Sequence, residues 1–191
     1  MSQSLNSAAE RSPSSLLPPA LPNSASHPSS PEPFFYYFAY GSCMCPVDLK
    51  RTLGENTCPF VIGHATLKDY RLRFSRRSLR RNCGALDVVP DPGKTVEGVL
   101  YRLPSRLSDL LDEREEVPRG GYRREAIEVV AKGTLYSSVR TYVVVEKLPE
   151  ELAPNDWYFN VVMRGAVTCG LPEPYCWQLF NHMHQLQQQQ F

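Results

Sequence analysis

The chain has 191 residues, enough for one domain with a buried core, and its 21 basic and 20 acidic residues leave a formal net charge of +1. This balance argues against nucleic acid or a membrane surface as the binding partner of the whole molecule. No apolar run reaches the ~18 residues that suggest a membrane-spanning helix, so none is expected.

The cysteine pattern predicts neither a disulfide scaffold nor a metal site. Six cysteines in 191 residues are too sparse for a disulfide-dense fold. Cys43 and Cys45 form a C-x-C pair, but no second pair and no nearby pair of histidines completes a zinc-ligand spacing. We therefore expect no metal. The N-terminus lacks the basic and apolar regions of a signal peptide, so we also expect a cytoplasmic protein.

Both ends of the chain differ in composition from its middle. Residues 1–33 are rich in Ser and Pro, a composition that buries too little apolar surface to offset the entropy of ordering. We predict a disordered tail there, a single domain over residues 34–186, and a frayed glutamine-rich end over residues 187–191.

The domain is predicted to begin with a buried strand. Residues 34–40 are seven uncharged aromatic or apolar residues, which is typical of a strand covered on both faces. Gly41 and Ser42 interrupt this run, and Pro46 opens a helical segment. Backbone N–H groups at such a junction can bind an anion or a developing oxyanion. An ordinary strand–turn–helix junction without a ligand is the alternative.

The middle of the chain is predicted to be rich in strands. Turn chemistry at Pro90–Gly93 separates two of them, and the basic segment Arg76–Arg81 is expected to form a solvated loop. The strands are predicted over residues 60–67, 70–74, 83–89, 96–103, 122–131 and 135–147.

A helix predicted over residues 105–116 carries the most informative carboxylate. Its apolar face consists of Leu107, Leu110 and Leu111. Glu115 lies four residues beyond Leu111 and is therefore expected on the same inward face, where partial desolvation would suit a general base. The alternative is a structural ion pair between Glu115 and Arg123 or Arg124 on the next strand.

Two more helices are predicted towards the end of the chain, over residues 155–169 and 174–185. Strands therefore dominate, with helices between them and after them. This order indicates an α+β fold in which a mixed sheet curves into a small barrel with helices packed outside.

Three motifs follow one another along the chain. The first is Tyr37-Phe38-Ala39-Tyr40-Gly41-Ser42. The second is Leu111-Asp112-x-x-Glu115 followed by Gly121-Tyr122, and the third runs from Tyr158 through Gly165-Ala166 and Gly170-Leu171-Pro172 to Tyr175. Together these motifs resemble the γ-glutamylcyclotransferase family, whose fold is also described as AIG2-like. The resemblance covers about residues 37–186, nearly the whole predicted domain.

The resemblance implies a specific reaction. The family cleaves γ-glutamyl amides by cyclisation, in which the α-amino group of the substrate attacks its own γ-carbonyl. The products are 5-oxoproline and a free amino acid or amine, and the reaction needs no metal or organic cofactor. By this resemblance the partner is a small-molecule γ-glutamyl substrate and the protein is a monomer or a homodimer.

The resemblance also implies roles for residues of the site. The position of Glu115 takes the proton from the α-ammonium group and can return it to the departing nitrogen. Tyr158 adds a hydroxyl contact to the substrate. Backbone N–H groups of the first motif hold the glutamyl part, at Tyr37, Phe38, Ala39, Tyr40, Gly41 and Ser42.

Two positions depart from the pattern of the family. The residue after Ser42 is usually asparagine and is here Cys43, a weaker hydrogen-bonding group that could hold the loop differently. The residue after the glutamate is commonly glycine and is here Glu116. A second carboxylate could strengthen Glu115 as a base, and it could equally discourage acidic leaving groups.

Three alternatives to this enzyme are open at this point. A binding protein of the same fold would keep the anion-binding loop without turnover. A related cyclotransferase would remove a γ-glutamyl protecting group from an amine. A hydrolase would admit water in place of the tethered amine. The presence of Glu115 favours an enzyme over the binding protein.

Overall fold

The structure, a computed structural model, describes residues 32–189. The tail predicted for residues 1–33 therefore lies outside the described residues, except for its last two positions. Residues 190 and 191 of the predicted frayed end lie outside them as well.

The described chain contains five strands that close into a barrel in the order β1-β3-β2-β4-β5. Their bounds are β1 (Phe34–Ala39), β2 (Val61–Ser78), β3 (Cys83–Pro104), β4 (Tyr122–Ala131) and β5 (Thr134–Val144). Neighbouring strands are antiparallel except β1 and β5, which meet in parallel at Tyr37 and Arg140 and close the barrel. The predicted mixed sheet curved into a small barrel is confirmed.

Strands β2 and β3 are longer than the sequence predicts. Four separate strands were expected, but β2 and β3 form one long antiparallel ribbon with bulges. At one bulge Asp69 adopts a positive φ of 61°, and its carboxylate accepts the Gly93 N–H at 2.8 Å. The predicted turn at Pro90–Gly93 is therefore wrong, because the turn chemistry serves an irregularity within the ribbon.

The basic segment is also placed differently from its prediction. Arg76 and Arg77 belong to β2, where they pair with Ala85 and Gly84 of β3. Only the residues after Ser78 form the connection to β3. Sheet pairing thus overrides the local polarity that suggested a solvated loop.

The described chain also contains four α-helices, and they are α1 (Pro46–Leu53), α2 (Ser108–Arg114), α3 (Asp156–Thr168) and α4 (Glu173–Gln188). Asn155 caps α3, since its side-chain oxygen accepts the Tyr158 N–H at 2.9 Å. Helix α4 includes Gln187, predicted to be frayed, whose amide donates to the Pro154 carbonyl at 3.1 Å. Between residues 32 and 189, no helix is long and apolar enough to cross a membrane.

Helix α2 is shorter than predicted and buries a narrower face. It ends at Arg114, and Glu115 is the residue that caps it. Leu107 and Leu111 are buried, whereas Leu110, predicted to share their face, is 46% exposed. The expected three-leucine face is therefore wrong at Leu110, because only Leu107 and Leu111 reach the hydrophobic core.

The segment that leads to α3 lies directly across the β2–β3 ribbon. The Leu152 N–H donates to the Phe74 carbonyl at 3.0 Å, and the Gly84 N–H donates to the Ala153 carbonyl at 2.7 Å. A Cβ atom at Gly84 would stand 1.7 Å from the Leu152 carbonyl oxygen. This crossing, which fixes the start of α3, requires glycine at position 84.

We predict that Gly84→Ala destabilises the protein by about 3 kcal/mol or more, because the new methyl group overlaps backbone that cannot move aside. The matched control is Gly54→Ala, at a left-handed position with open space around it. It should lose about 1–2 kcal/mol from the backbone conformation alone. Chemical denaturation measures both values, and equal losses would contradict the close crossing.

Candidate active site

A cavity opens between the end of β1, the end of α2, the outer part of the β2–β3 ribbon and α3. Six predicted site residues line it, and they are Tyr37, Tyr40, Gly41, Ser42, Glu115 and Tyr158. Phe38 and Ala39 do not line it, because both are fully buried in the barrel. The wall also contains residues to which sequence reasoning gave no role in the site, and they include Cys43, Arg76, Arg81, Arg114, Tyr122 and Tyr142.

The turn after β1 forms one wall and is tightly fixed. It is a 3-10 turn over Ser42–Met44, closed by the Met44 N–H donating to the Gly41 carbonyl at 2.9 Å. The buried Tyr101 hydroxyl donates to the Met44 carbonyl at 2.9 Å. A Cβ atom at Gly165 of α3 would lie 2.7 Å from the backbone nitrogen of Cys45, so glycine allows α3 to pack on the turn.

Glu115 is positioned by the end of α2. Its N–H donates to the Leu111 carbonyl at 3.0 Å, which continues the helical pattern, and its side chain is 15% exposed. The Cys43 thiol donates to Oε1 of Glu115 at 3.1 Å. The alternative of an ion pair with Arg123 or Arg124 is wrong, because these arginines pair with Glu125 and Asp112 respectively.

Arg114 ties Glu115 to the rest of the site. Its buried guanidinium donates to Asp48 at 2.8 Å, to the Cys43 sulfur at 2.9 Å and to Ser42 Oγ at 3.2 Å. It also donates to Thr52 of α1, and its Nε lies 3.8 Å from Oε1 of Glu115. Burial alone would lower the pKa of Arg114, but the polar and acidic groups around it outweigh burial and raise this pKa.

Cys43 links the guanidinium to the carboxylate as a neutral thiol. Burial raises its pKa to about 12, although the positive charge of Arg114 acts in the opposite direction. A thiol with this pKa is protonated at neutral pH, so it can accept a hydrogen bond from Arg114 and donate one to Glu115. The same protonation argues against Cys43 as a nucleophile, which would have to be a thiolate.

Glu116, the second carboxylate in the wall, forms an ion pair with Arg76 of β2. Its backbone is left-handed, with φ at 55° and ψ at 32°. Such a conformation favours glycine, which fits the residue that the resemblance leads one to expect there. Hydrogen bonds from the N–H groups of Arg119 and Gly121 to the Glu116 carbonyl, at 3.0 and 2.9 Å, hold this conformation in place.

Two tyrosines fix the wall formed by β3. The Tyr122 hydroxyl donates to the Leu86 carbonyl at 2.8 Å, and the Leu86 N–H donates to the Tyr158 hydroxyl oxygen at 3.1 Å. Burial raises the pKa of Tyr158 to about 12, so its hydroxyl keeps its proton at neutral pH. The hydroxyl oxygen accepts the Leu86 N–H, and within residues 32–189 no hydrogen bond donated by this hydroxyl is found, so its proton is available for a group in the cavity.

Among the described residues, Glu115 and Glu116 are the only carboxylates that line the cavity. The fully buried Asp87 lies outside its wall and accepts hydrogen bonds from Ser75, Val144 and Lys147. Glu116 is paired with Arg76, whereas the side-chain hydrogen bond found for Glu115 engages Oε1. No group of three or more His, Cys, Asp or Glu residues within 32–189 is arranged to hold a metal ion.

The missed arginines had weak signals in the sequence. Arg114 directly precedes Glu115 in an otherwise acidic helix end, and Arg76 and Arg81 follow an alternating strand. Arg114 contacts Asp48 and Arg76 contacts Glu116, which are 66 and 40 residues away along the chain, and Arg81 packs on the distant Trp157. Local pattern therefore could not assign them to the site.

We predict that Arg114→Gln destabilises the protein by about 3–5 kcal/mol, because the buried Asp48 carboxylate loses its buried counter-charge and keeps only the exposed Arg51 at 4.0 Å. Arg119→Gln is the matched control, since Arg119 forms an exposed ion pair with Glu113 and should lose less than about 1 kcal/mol. Equal losses in urea denaturation would show that Arg114 does not have this structural role.

A family model for the AIG2-like family matches residues 95–179. The chain is 36% identical over 151 residues to the protein YkqA of Bacillus subtilis, covering 79% of this chain and 53% of YkqA. The chain thus spans about half the length of that relative. The crystal structure of YkqA superimposes with a TM-score of 0.72 at 34% identity, over 79% of this chain and 54% of that one.

Shorter relatives match over most of their length. The γ-glutamylcyclotransferase of Mus musculus is 30% identical over 145 residues, which cover 74% of each protein. A solved structure of a γ-glutamyl cyclotransferase superimposes with a TM-score of 0.69 at 26% identity, over 77% of this chain and 86% of the other. The fold and a large share of the sequence are therefore common to these proteins, and the chain belongs to the γ-glutamylcyclotransferase family.

Proposed function

We propose that the protein is a γ-glutamylcyclotransferase that converts γ-glutamyl amino acids or amines into 5-oxoproline and the free amino acid or amine. The α-amino nitrogen of the substrate forms a bond to its γ-carbonyl carbon, and the bond from that carbon to the departing nitrogen breaks. The observation that carries the proposal is Glu115, a largely buried carboxylate in the cavity wall with one oxygen held by Cys43 and the other uncommitted.

The chemistry requires few protein groups. The nucleophile is tethered to the electrophile, and well-oriented intramolecular attack can lower a barrier by roughly 7–11 kcal/mol. One positioned base contributes about 10²–10⁴-fold, and each oxyanion donor adds about 3–4 kcal/mol. A cavity that holds the substrate, one carboxylate and a few hydrogen-bond donors are therefore sufficient for this reaction.

In this mechanism Glu115 relays protons between two nitrogens. It takes a proton from the α-ammonium group of the substrate, which frees the nitrogen lone pair for attack, and it gives this proton to the departing nitrogen as the bond to the γ-carbonyl carbon breaks. The attacking nitrogen loses a second proton as the ring forms, and this proton ends on the released amine as its ammonium form, so no water is consumed. Cys43 and Arg114 hold Oε1 on one side, which supports a role for Oε2 in contacting the substrate.

The turn after β1 and Tyr158 are proposed to hold the glutamyl part. Gly41 and Ser42 line the cavity and can present backbone N–H groups to a carboxylate or to the developing oxyanion. Phe38 and Ala39 instead pair with Leu100 and Val99 in the barrel. We therefore propose that they only fix the position of the turn and do not contact the substrate. The Tyr158 hydroxyl proton is proposed to donate to the substrate.

We predict that Glu115→Gln retains the fold but lowers 5-oxoproline formation at least about 100-fold, because the amide cannot accept the proton. The assay incubates the purified protein with γ-glutamyl dipeptides and γ-glutamyl amines and detects the products by mass spectrometry. The matched control is Glu113→Gln, an exposed carboxylate of the same helix, which should retain activity. Retained turnover in Glu115→Gln would show that Glu115 is not the base. Release of free glutamate in place of 5-oxoproline would mean that the protein hydrolyses the substrate.

We predict that Tyr158→Phe raises KM several-fold and changes kcat less, since it removes a binding contact that is not part of proton transfer. The variant should also lose about 1 kcal/mol of stability, because the Leu86 N–H loses its acceptor. Tyr136→Phe, outside the cavity, is the control for the loss of a hydroxyl. An unchanged KM would exclude Tyr158 from substrate binding.

A further inference from the structure

A second depression adjoins the cavity and is strongly basic. It shares Arg81 and Arg114 with the cavity, and its other lining residues are Asp48, Arg51, Thr52, Arg80 and Trp157. We call this surface the basic groove. Four arginines face one aspartate there, in a protein whose formal net charge is only +1. The charge is therefore concentrated beside the proposed reaction centre.

The arginines of the basic groove differ in their availability. Arg114 is occupied by Asp48 and Cys43, and Arg51 lies at 4.0 Å from the same aspartate with a side chain that is 66% exposed. Within residues 32–189, the ion pairs of the structure include neither Arg80 nor Arg81. These two cations are thus available for a negatively charged ligand.

Arg81 lies where the cavity and the basic groove meet, and it is held in place. Its carbonyl accepts a hydrogen bond from the Asn155 amide at 2.9 Å. Its guanidinium carbon lies 5.1 Å from the ring centre of Trp157 and 5.6 Å from that of Tyr158. Arginine packed on aromatic faces keeps its N–H groups free at the edge, where they match the geometry of a carboxylate.

The connection between the two spaces constrains how a substrate lies. If the γ-carbonyl is beside Glu115, as the proposed function requires, the departing half of the substrate must extend out of the cavity. The basic groove is the space that continues past Arg81, and its charge is opposite to that of an acid. Glu116 does not oppose an acidic group here, because its charge is paired with Arg76.

We propose that the basic groove is the leaving-group subsite and that it selects γ-glutamyl substrates whose leaving amino acid has an acidic side chain. This inference rests on the proposed function. Arg81 binds the main carboxylate of the leaving amino acid, and Arg80 with Arg51 binds its side-chain carboxylate. Trp157 forms the apolar wall along which the carbon chain lies.

The test compares γ-glutamyl-aspartate with γ-glutamyl-asparagine, which are nearly the same size and differ in charge. We expect a preference of about tenfold in kcat/KM for the aspartate substrate, weakening as the salt concentration rises. Arg80→Gln should reduce this preference to near unity. Arg77→Gln is the matched control, since Arg77 is an exposed arginine of the same segment outside the groove and carries the same charge.

Three results would overturn the subsite. One is an equal kcat/KM for the two substrates. Another is an equal loss of the preference in Arg77→Gln and Arg80→Gln, because the preference would then depend on the overall charge of the protein and not on the basic groove. The third is a preference that persists at high salt.

A binding measurement separates this inference from the proposed reaction. Calorimetry of the Glu115→Gln variant with the same two dipeptides should show the same preference without turnover. If the variant binds the aspartate dipeptide preferentially but the wild type forms no 5-oxoproline, the proposal for the basic groove stands and the proposed reaction is wrong. If the variant binds the two dipeptides equally and the wild type forms 5-oxoproline, the proposed reaction stands and the proposal for the basic groove is wrong. If there is neither preferential binding nor 5-oxoproline, both proposals are wrong.

Discussion

The buried guanidinium of Arg114 is the interaction on which the geometry of the site depends. It joins α1 through Asp48 and Thr52, the turn after β1 through Ser42 and Cys43, and the end of α2 to which it belongs. A charge this deeply buried is stable only with its partners in place. The position of the neighbouring Glu115 is therefore coupled to three elements that are distant in sequence.

The barrel contributes rigidity on the opposite side of the cavity. Tyr122 and Tyr158, from β4 and α3, hold the carbonyl and the N–H of one residue, Leu86. The turn after β1 is held by a hydrogen bond from the Tyr101 hydroxyl and by the close packing of α3 at Gly165. The proposed base and the proposed binding groups thus stand on separate, fixed walls, which is the arrangement that an intramolecular cyclisation needs.

The parts of this structure that could be predicted from sequence are those with local signals. The barrel class could be predicted from the succession of strands, and the start of α3 from Asn155. The inward position of Glu115 could be predicted because it lies four residues beyond Leu111. The long β2–β3 ribbon could not be predicted, because Pro90 and Gly93 have turn chemistry that the fold uses in a bulge. Arg76 and Arg81 could not be placed either, since a run of arginines has the same local pattern on a solvated loop and in a cavity wall.

The thiol in the cavity also bears on how the site responds to oxidants. A cysteine beside a base would be an easy target for peroxide if it were ionised and accessible. Cys43 is 5% exposed, and its raised pKa keeps it protonated, whereas Cys58 lies exposed on the surface. Cysteine in place of the asparagine expected from the family therefore gives Glu115 a thiol donor instead of an amide donor without adding a redox-sensitive group. Oxidative damage to thiols would reach Cys58 before the reaction centre.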